Sequence, residues 1–318
     1  MLKNSPNLME SRVSGTGSSL LILVGFVLIG MAVGNLLAVW LLTAMSGTDL
    51  EGTADLINQL MYSPANVPDG WYMMMLFQGM VHFFSYLLPS LLFIYWIERR
   101  NIRQINTQPE LSLQILILAL LVVLLFIPLN GKFIEWNQAM KFPDAFSGIE
   151  RWMREKESQM EVLTKFLTTY DQFGQLLIAM VVVVLLPAAG EEFIFRGIIQ
   201  RKLAETWNIH IAIWTAAAIF SAIHFQFYGF LPRMLLGALF GYLYYWSGNI
   251  WVAVLAHFVN NGFVLLMVYL YNVKVLEINI EETKTMPILT VFVSLLSTLY
   301  VLYRINRAGK GLRDIKQN

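Results

Sequence analysis

The sequence has no cysteine and very little charge. Without cysteine there are no disulfides and no thiolate metal sites. Any metal ion would have to be held by His, Glu, Asp or Asn, and the only histidines are His82, His210, His224 and His257. Charged residues make up 14% of the 318 positions, where a soluble domain carries about a quarter. The net charge of +1 gives no reason to expect a nucleic-acid partner. What is present is apolar: 57% of residues are hydrophobic and they fall in long blocks. Such blocks predict helices that cross a bilayer, which is then the first partner. The first block, about 19–45, exceeds the roughly 7–15 residues of a signal-peptide core and reads as a membrane helix.

A span needs about 20 mostly apolar residues. Candidate spans lie at about 19–45, 71–97, 111–130, 172–200, 210–226, 230–247, 250–271 and 286–304. The expected fold is an all-α, polytopic bundle of about eight spans in one membrane domain. Residues 1–171 form its N-terminal helices, 172–271 its polar-residue-bearing helices, and 272–318 the last span and a basic tail. The first loop, about 46–70, has Asp49, Glu51, Asp55 and Asp69 but no basic residue. Arg99, Arg100 and Arg103, then Arg201 and Lys202, then Arg304, Arg307, Lys310, Arg313 and Lys316 mark the cytoplasmic segments. Eight spans with both termini cytoplasmic satisfy this pattern. The long loop at about 131–171 then lies outside. Within it Phe146, Ile149, Trp152, Met153, Met160, Leu163, Phe166 and Leu167 recur at helical spacing. They predict an amphipathic helix, lying on the membrane surface or against the outer face of the bundle. Trp71, Tyr72, Trp96, Trp136, Trp246 and Trp251 sit near span ends, as interfacial aromatics do.

Ionisable groups within a span cost roughly 2.5–3.5 kcal/mol each on insertion scales, so they persist where they pair, face a cavity or do chemistry. The fourth span carries Glu191-Glu192-Phe-Ile-Phe-Arg196. Glu192 and Arg196 stand at i, i+4 and share a helical face. Glu191 is rotated about 100° away and is not needed for that pair. A spare carboxyl in a low-dielectric site suits a general base or acid. The next span ends Phe220-Ser-Ala-Ile-His224, and the seventh holds His257-Phe-Val-Asn260-Asn261, with His257 and Asn261 again at i, i+4. His82, alone in the second span, reads as a structural hydrogen-bonder, and His210 as a surface residue at a helix start. Asn35 and Gln78 read as interhelical hydrogen-bonders.

The expectation to test is that Glu191, His224, His257 and Asn261 converge on one cavity. Glu191 and His224 lie on two arms of a hairpin turning near 207–209, each about 20–28 Å deep. His257 enters from the turn at 248–249 by only about 10–13 Å. That turn must therefore sit deeper in the bundle than the other, or the seventh helix must be displaced.

The succession Glu191-Glu192-x-x-x-Arg196, Phe220-x-x-x-His224 and His257-x-x-x-Asn261 on consecutive membrane helices resembles the CPBP (Abi) family, which includes the type II CAAX prenyl proteases. The resemblance covers about 172–271. It implies an intramembrane endopeptidase acting on a membrane-associated, prenylated or leader-type peptide, the second partner. Glu191 would be the principal catalytic carboxylate, supported by Glu192 and Arg196. His224 would help activate water, and His257 and Asn261 would stabilise the oxyanion or bind a metal. Glu191, His224 and His257 could make a zinc site of the metalloprotease type, although the sequence has no H-E-x-x-H pattern. A metal-free mechanism is equally compatible. The mouth of the site is expected on the cytoplasmic side, and a bacterial inner membrane is the expected location. Two other readings remain: a proton-coupled transporter, since membrane Glu, Arg and His also mark such paths, and a non-enzymatic immunity or regulatory protein.

Overall fold

The computed structural model describes residues 15–277 and 286–315 of the chain. Among the described residues every regular element is helical. In chain order these are α1 (Thr16–Ser46), α2 (Leu50–Tyr62), α3 (Gly70–Ile97), α4 (Leu113–Gln138), α5 (Ser147–Thr168), α6 (Phe173–Ala204), α7 (Ile209–Ala222), α8 (Phe230–Ser247), α9 (Ile250–Asn272) and α10 (Ile288–Ile315). Six of them, α1, α3, α4, α6, α9 and α10, are long and apolar enough to cross a membrane. Large apolar side chains such as Leu21, Leu28 and Leu36 on α1 and Ile288, Leu289 and Phe292 on α10 remain exposed. They form the lipid-facing surface that a bilayer requires. The chain is thus an integral membrane protein, and α7 and α8 complete the bundle. The side chain of Arg313 and all of Lys316, counted in the basic tail, lie outside the described residues.

The helix boundaries follow local chemistry. Asp49 caps α2 through a 2.9 Å bond from the Gly52 amide, and Asn249 caps α9 through one of 3.0 Å from Trp251. Gly248, left-handed at φ 66°, closes α8 with its N–H on Tyr244 O. α3 and α6 are not uniform α-helices. Each contains two stretches of wider π turns, Phe83–Leu87 and Phe93–Ile97 in α3, and Met180–Leu185 and Phe193–Gln200 in α6. Such turns re-aim the side chains beyond them and recur at functional sites. Glu191 and Glu192 end the short α segment between the two in α6.

Contacts sort the loops onto two ends of the bundle. At one end Thr16 donates to Lys202 O at 3.3 Å, Glu98 receives Arg201 and also Lys202 Nζ at 3.4 Å, and the Gln108 amide donates to Gly248 O at 2.9 Å. The described part of the α10 tail joins this end, with Gly309 against the Trp246 backbone. All the described basic clusters are therefore at one end. At the other end Trp71 Nε1 donates to Leu167 O at 3.1 Å, and Asn272 Nδ2 to Thr168 O at 3.0 Å. The acidic segment with Asp49, Glu51, Asp55 and Asp69 is here, together with α5.

Several boundaries differ from those expected. α4 continues to Gln138, beyond the expected end near 130, because Asn130, Ile134 and Gln138 face a polar cavity. α7 stops at Ala222, leaving His224 in the following turn, where Phe225 has φ 52°. α2 was not expected at all. Asn35 bonds within its own helix, to Met31 O at 2.8 Å, and makes no interhelical bond among the described residues. The amphipathic α5 exists, and its Leu163, Phe166 and Leu167 pack on the bundle while Ile149 and Trp152 stay exposed.

Candidate active site

Arg196 places a guanidinium in the core of the bundle, only 1% exposed. Its Nη1 donates to Glu192 Oε1 at 2.8 Å and its Nη2 to Gly237 O at 2.7 Å. Phe195, Phe220 and Phe240 surround it, with the guanidinium carbon 4.9 Å from the Phe220 ring centre. This is the i, i+4 pair expected from the sequence, buried and hydrogen-bonded as a charge pair in low dielectric must be.

The pair continues into a directional chain. Glu192 Oε1 also receives His257 Nδ1 at 2.8 Å. A carboxylate only accepts, so His257 carries its proton on Nδ1. Its Nε2 then accepts from Asn261 Nδ2 at 3.1 Å, and Asn261 Oδ1 accepts from Asn260 Nδ2 at 3.0 Å. Phe240 stacks on the imidazole at 4.9 Å and 17°. Position, tautomer and ring plane of His257 are all fixed. Asn261 keeps its second amide hydrogen for another acceptor.

Glu191 is different. It is 6% exposed and has no bond to Arg196. Its neighbours within ion-pairing distance are two imidazoles, His82 Nε2 at 3.5 Å from Oε1 and His257 Nε2 at 3.9 Å from Oε2. His82 comes from α3 and stacks on Tyr86 at 4.6 Å. It reaches Glu191 because Gly190 lets α6 approach α3: a Cβ there would stand 2.9 Å from Tyr86 Cβ and 3.0 Å from Leu87 N. His224 Nδ1 donates to Phe220 O at 2.7 Å, which turns Nε2 outward as an acceptor in the neutral ring.

Glu191, His224, His257 and Asn261 line one cavity of about 610 Å³, as the convergence expected from the sequence requires. Glu192 and Arg196 stand behind its wall. The depth mismatch is resolved at the turns: Glu205–Asn208 is exposed, whereas Ser247–Ile250 is buried beneath the loop at 101–112, with Asn249 Nδ2 donating to Gln108 O at 3.0 Å. The cavity also takes in residues that sequence reasoning left aside. His82 is one: expected as a structural hydrogen-bonder, it lines the cavity and stands 3.5 Å from Glu191. Gln78 lines the cavity as well, and Glu157 stands at its mouth. Burial pushes the Glu157 carboxyl up from its ordinary range, partly offset by the Tyr228 N–H and the charge of Arg233. No charged i, i+4 partner marks His82, whose neighbour at i+4 is Tyr86, and Glu157 is one of several charges on α5. His210 is exposed as expected, with its ring on Tyr242 OH at 2.9 Å.

The exposed Gln138 and the half-buried Glu157 line the part of the cavity nearest the end away from the basic clusters. Beyond Glu192, toward the basic end, Phe193, Ile194, Ile198, Leu243, Ile250 and Ala253 close the bundle with apolar side chains.

Among the described residues no group of three or more His, Asp or Glu could hold a metal ion. His257 Nε2 is engaged by Asn261 and His224 Nδ1 by its own backbone.

A helical membrane protein with a carboxylate between imidazoles at the floor of a polar cavity is the class that this geometry defines. Residues 173–263 match the family described as "Type II CAAX prenyl endopeptidase Rce1-like", so the resemblance read in the three motifs holds over this segment. Two proteins of Bacillus subtilis (strain 168) are also similar. One, named "Uncharacterized protein YpbD", is 38% identical over 79 residues, 24% of this chain and 38% of its own. The other, named "Putative membrane peptidase YdiL", is 36% identical over 77 residues, 24% of this chain and 32% of its own. The similarity thus spans about a third of each relative. No solved structure matches the chain.

Proposed function

We propose that the chain is an intramembrane endopeptidase that hydrolyses a peptide bond of a membrane-associated substrate with water activated on Glu191. The observation that carries this reading is Glu191 itself: a buried carboxylate held apart from Arg196, flanked by His82 and His257 at 3.5 and 3.9 Å, at the floor of a cavity large enough for a peptide segment. Contacts just beyond hydrogen-bond length suit a bridging water. Glu191 takes a proton from that water, and the hydroxide attacks the scissile carbonyl carbon. The oxyanion meets the spare Asn261 amide hydrogen, an interaction worth roughly 2.7–4 kcal/mol in a dry site. The proton then passes to the leaving nitrogen, the C–N bond breaks, and an acid and an amine leave. His82 and His224 orient the water. Glu192 and Arg196 hold His257 in place and do not touch the substrate.

The apolar closure beneath Glu192 favours this reading over a transporter, which needs a polar path to both faces. Glu191→Gln is the direct test: it should lower cleavage of a membrane-associated reporter peptide by about 10³-fold or more while leaving thermal stability in detergent near that of the parent. Cleavage at the parental rate would end the proposal.

With the basic end cytoplasmic, the cavity opens to the outer face of the membrane. The chain has no cysteine, so single cysteines report cleanly. A membrane-impermeant maleimide applied to intact cells should label a cysteine at Glu155, beside the mouth, and spare one at Gln104, at the basic end. The reverse pattern would invert the orientation.

A further inference from the structure

Arg233, on α8, is the one Arg or Lys lining the cavity among the described residues. It is half-buried. Its Nη2 donates to Gln226 Oε1 at 2.7 Å and its Nη1 to Gln226 O at 3.4 Å, both neutral acceptors. Among the described residues no carboxylate lies within 4.0 Å of it. The two arginines nearby differ in this respect: Arg196 is paired with Glu192 and Arg154 with Glu150. Glu157, the acid at the mouth, is engaged on the Tyr228 amide at 3.3 Å. Glu157 and Glu191 act on Arg233 only at longer range, and a guanidinium drawn out of water with no carboxylate in contact is costly, a cost relieved when an anion arrives.

The surroundings keep the group in place. Gln226 fixes two of its nitrogens. The residue at 229 is glycine, and a Cβ there would stand 2.9 Å from Nη2, so the guanidinium lies directly over that backbone. It lines the same cavity as Glu191 and His224, which places it within reach of the proposed reacting centre. A planar guanidinium fork matches a carboxylate in two parallel hydrogen bonds. Phosphate groups are read by clusters of arginines, and a single guanidinium balances one negative charge.

We propose that Arg233 is the anchor of a carboxylate-binding subsite in the cavity, and that the peptide occupying the cavity presents a carboxylate to it. The inference rests on the peptidase reading for the identity of the ligand, but binding tests it without catalysis. The carboxylate comes from the end of the peptide or from an acidic side chain. Either way the subsite sets which bond lies over Glu191 by holding an anionic group at a fixed place.

The experiment measures binding of a short apolar fluorescent peptide to the full-length Glu191→Gln protein in nanodiscs. The peptide is used as the free acid, as the C-terminal amide, and as the amide with one internal glutamate. The free acid should bind about tenfold more tightly than the plain amide. Arg233→Gln should remove that preference, Arg233→Lys should keep part of it, and Gly229→Ala, which crowds the fork, should weaken the acid several-fold. If the glutamate-bearing amide binds like the free acid, a side chain supplies the group; if it binds like the plain amide, the chain end does. Equal binding of acid and plain amide, a preference that survives Arg233→Gln, or no binding of any peptide would overturn the proposal. A parent protein that shows the preference yet cleaves none of the peptides would count against the peptidase and leave the subsite standing.

Discussion

The segment matched by the family, residues 173–263, and the helices before it contribute to the cavity in unlike ways. The matched segment supplies a frame: Arg196, Glu192, His257 and Asn261 form one directional hydrogen-bonded chain. The earlier helices supply groups that approach this frame from outside, His82 and Tyr86 from α3, Asn130 and Gln138 from α4, Glu157 from α5. Glu191 sits on the boundary, with one imidazole from each side. The difference teaches that the frame holds geometry while Glu191, the carboxylate proposed to react, is flanked by both halves. It follows that damage to the frame should appear as instability, and damage at the boundary as lost rate.

Breaking the frame should have the larger effect. Arg196→Met removes one partner of a fully buried pair and leaves Glu192 with His257 alone. The expected cost is about 3–5 kcal/mol, read as a lower unfolding midpoint in detergent and poor recovery of folded protein. The double variant Arg196→Met, Glu192→Leu removes both charges and should regain most of that stability. Its activity should stay low, because His257 Nδ1 has lost the acceptor that fixed its tautomer. A double variant as active as the parent would show that the frame does not position His257 for the reaction.

The boundary is probed by His82→Gln, which keeps a polar group of similar reach but no imidazole. It should lower kcat about 10²-fold with KM and stability nearly unchanged. A change of less than about threefold would confine the chemistry to the matched segment and dissolve the comparison.

Much of the frame was legible in the sequence because charge inside an apolar block is conspicuous. Glu192 with Arg196, and His257 with Asn261, announce themselves by i, i+4 spacing, and the bonds between them exist at 2.8 and 3.1 Å. The boundary was not legible. His82 has Tyr86 at i+4 on its own helix, a ring stack that gives no hint of a carboxylate; its approach to Glu191 arises only from the α3–α6 contact, which no spacing along the chain encodes. Asn130, Lys132, Glu135 and Gln138 look like the start of a loop, yet they belong to α4 because several of them face the cavity, where polar side chains are solvated. The π turns of α6 also escape a reading based on 3.6 residues per turn, and they flank Glu191 on both sides. The basic clusters were read as one side of the membrane, and they do gather at one end. The end of α7 at Ala222, which leaves His224 in the following turn, is concealed by the run of apolar residues.

The gentlest way to sharpen the comparison changes neither half's chemistry and only the distance between them. Gly190 faces α3, and an added methyl would meet Tyr86 Cβ at 2.9 Å and Leu87 N at 3.0 Å. Neither is the free end of a flexible side chain, so the two helices must part by a few tenths of an ångström. Overpacking of this kind costs about 1–3 kcal/mol, less than breaking the frame. His82 moves with α3 while His257, held by Glu192, stays with the matched segment. Gly190→Ala should therefore slow cleavage about tenfold through the His82 contact alone, and combining it with His82→Gln should add little in rate. Independent, multiplying losses in the double variant would mean that Gly190 acts on the site by some route other than the separation of His82 from Glu191.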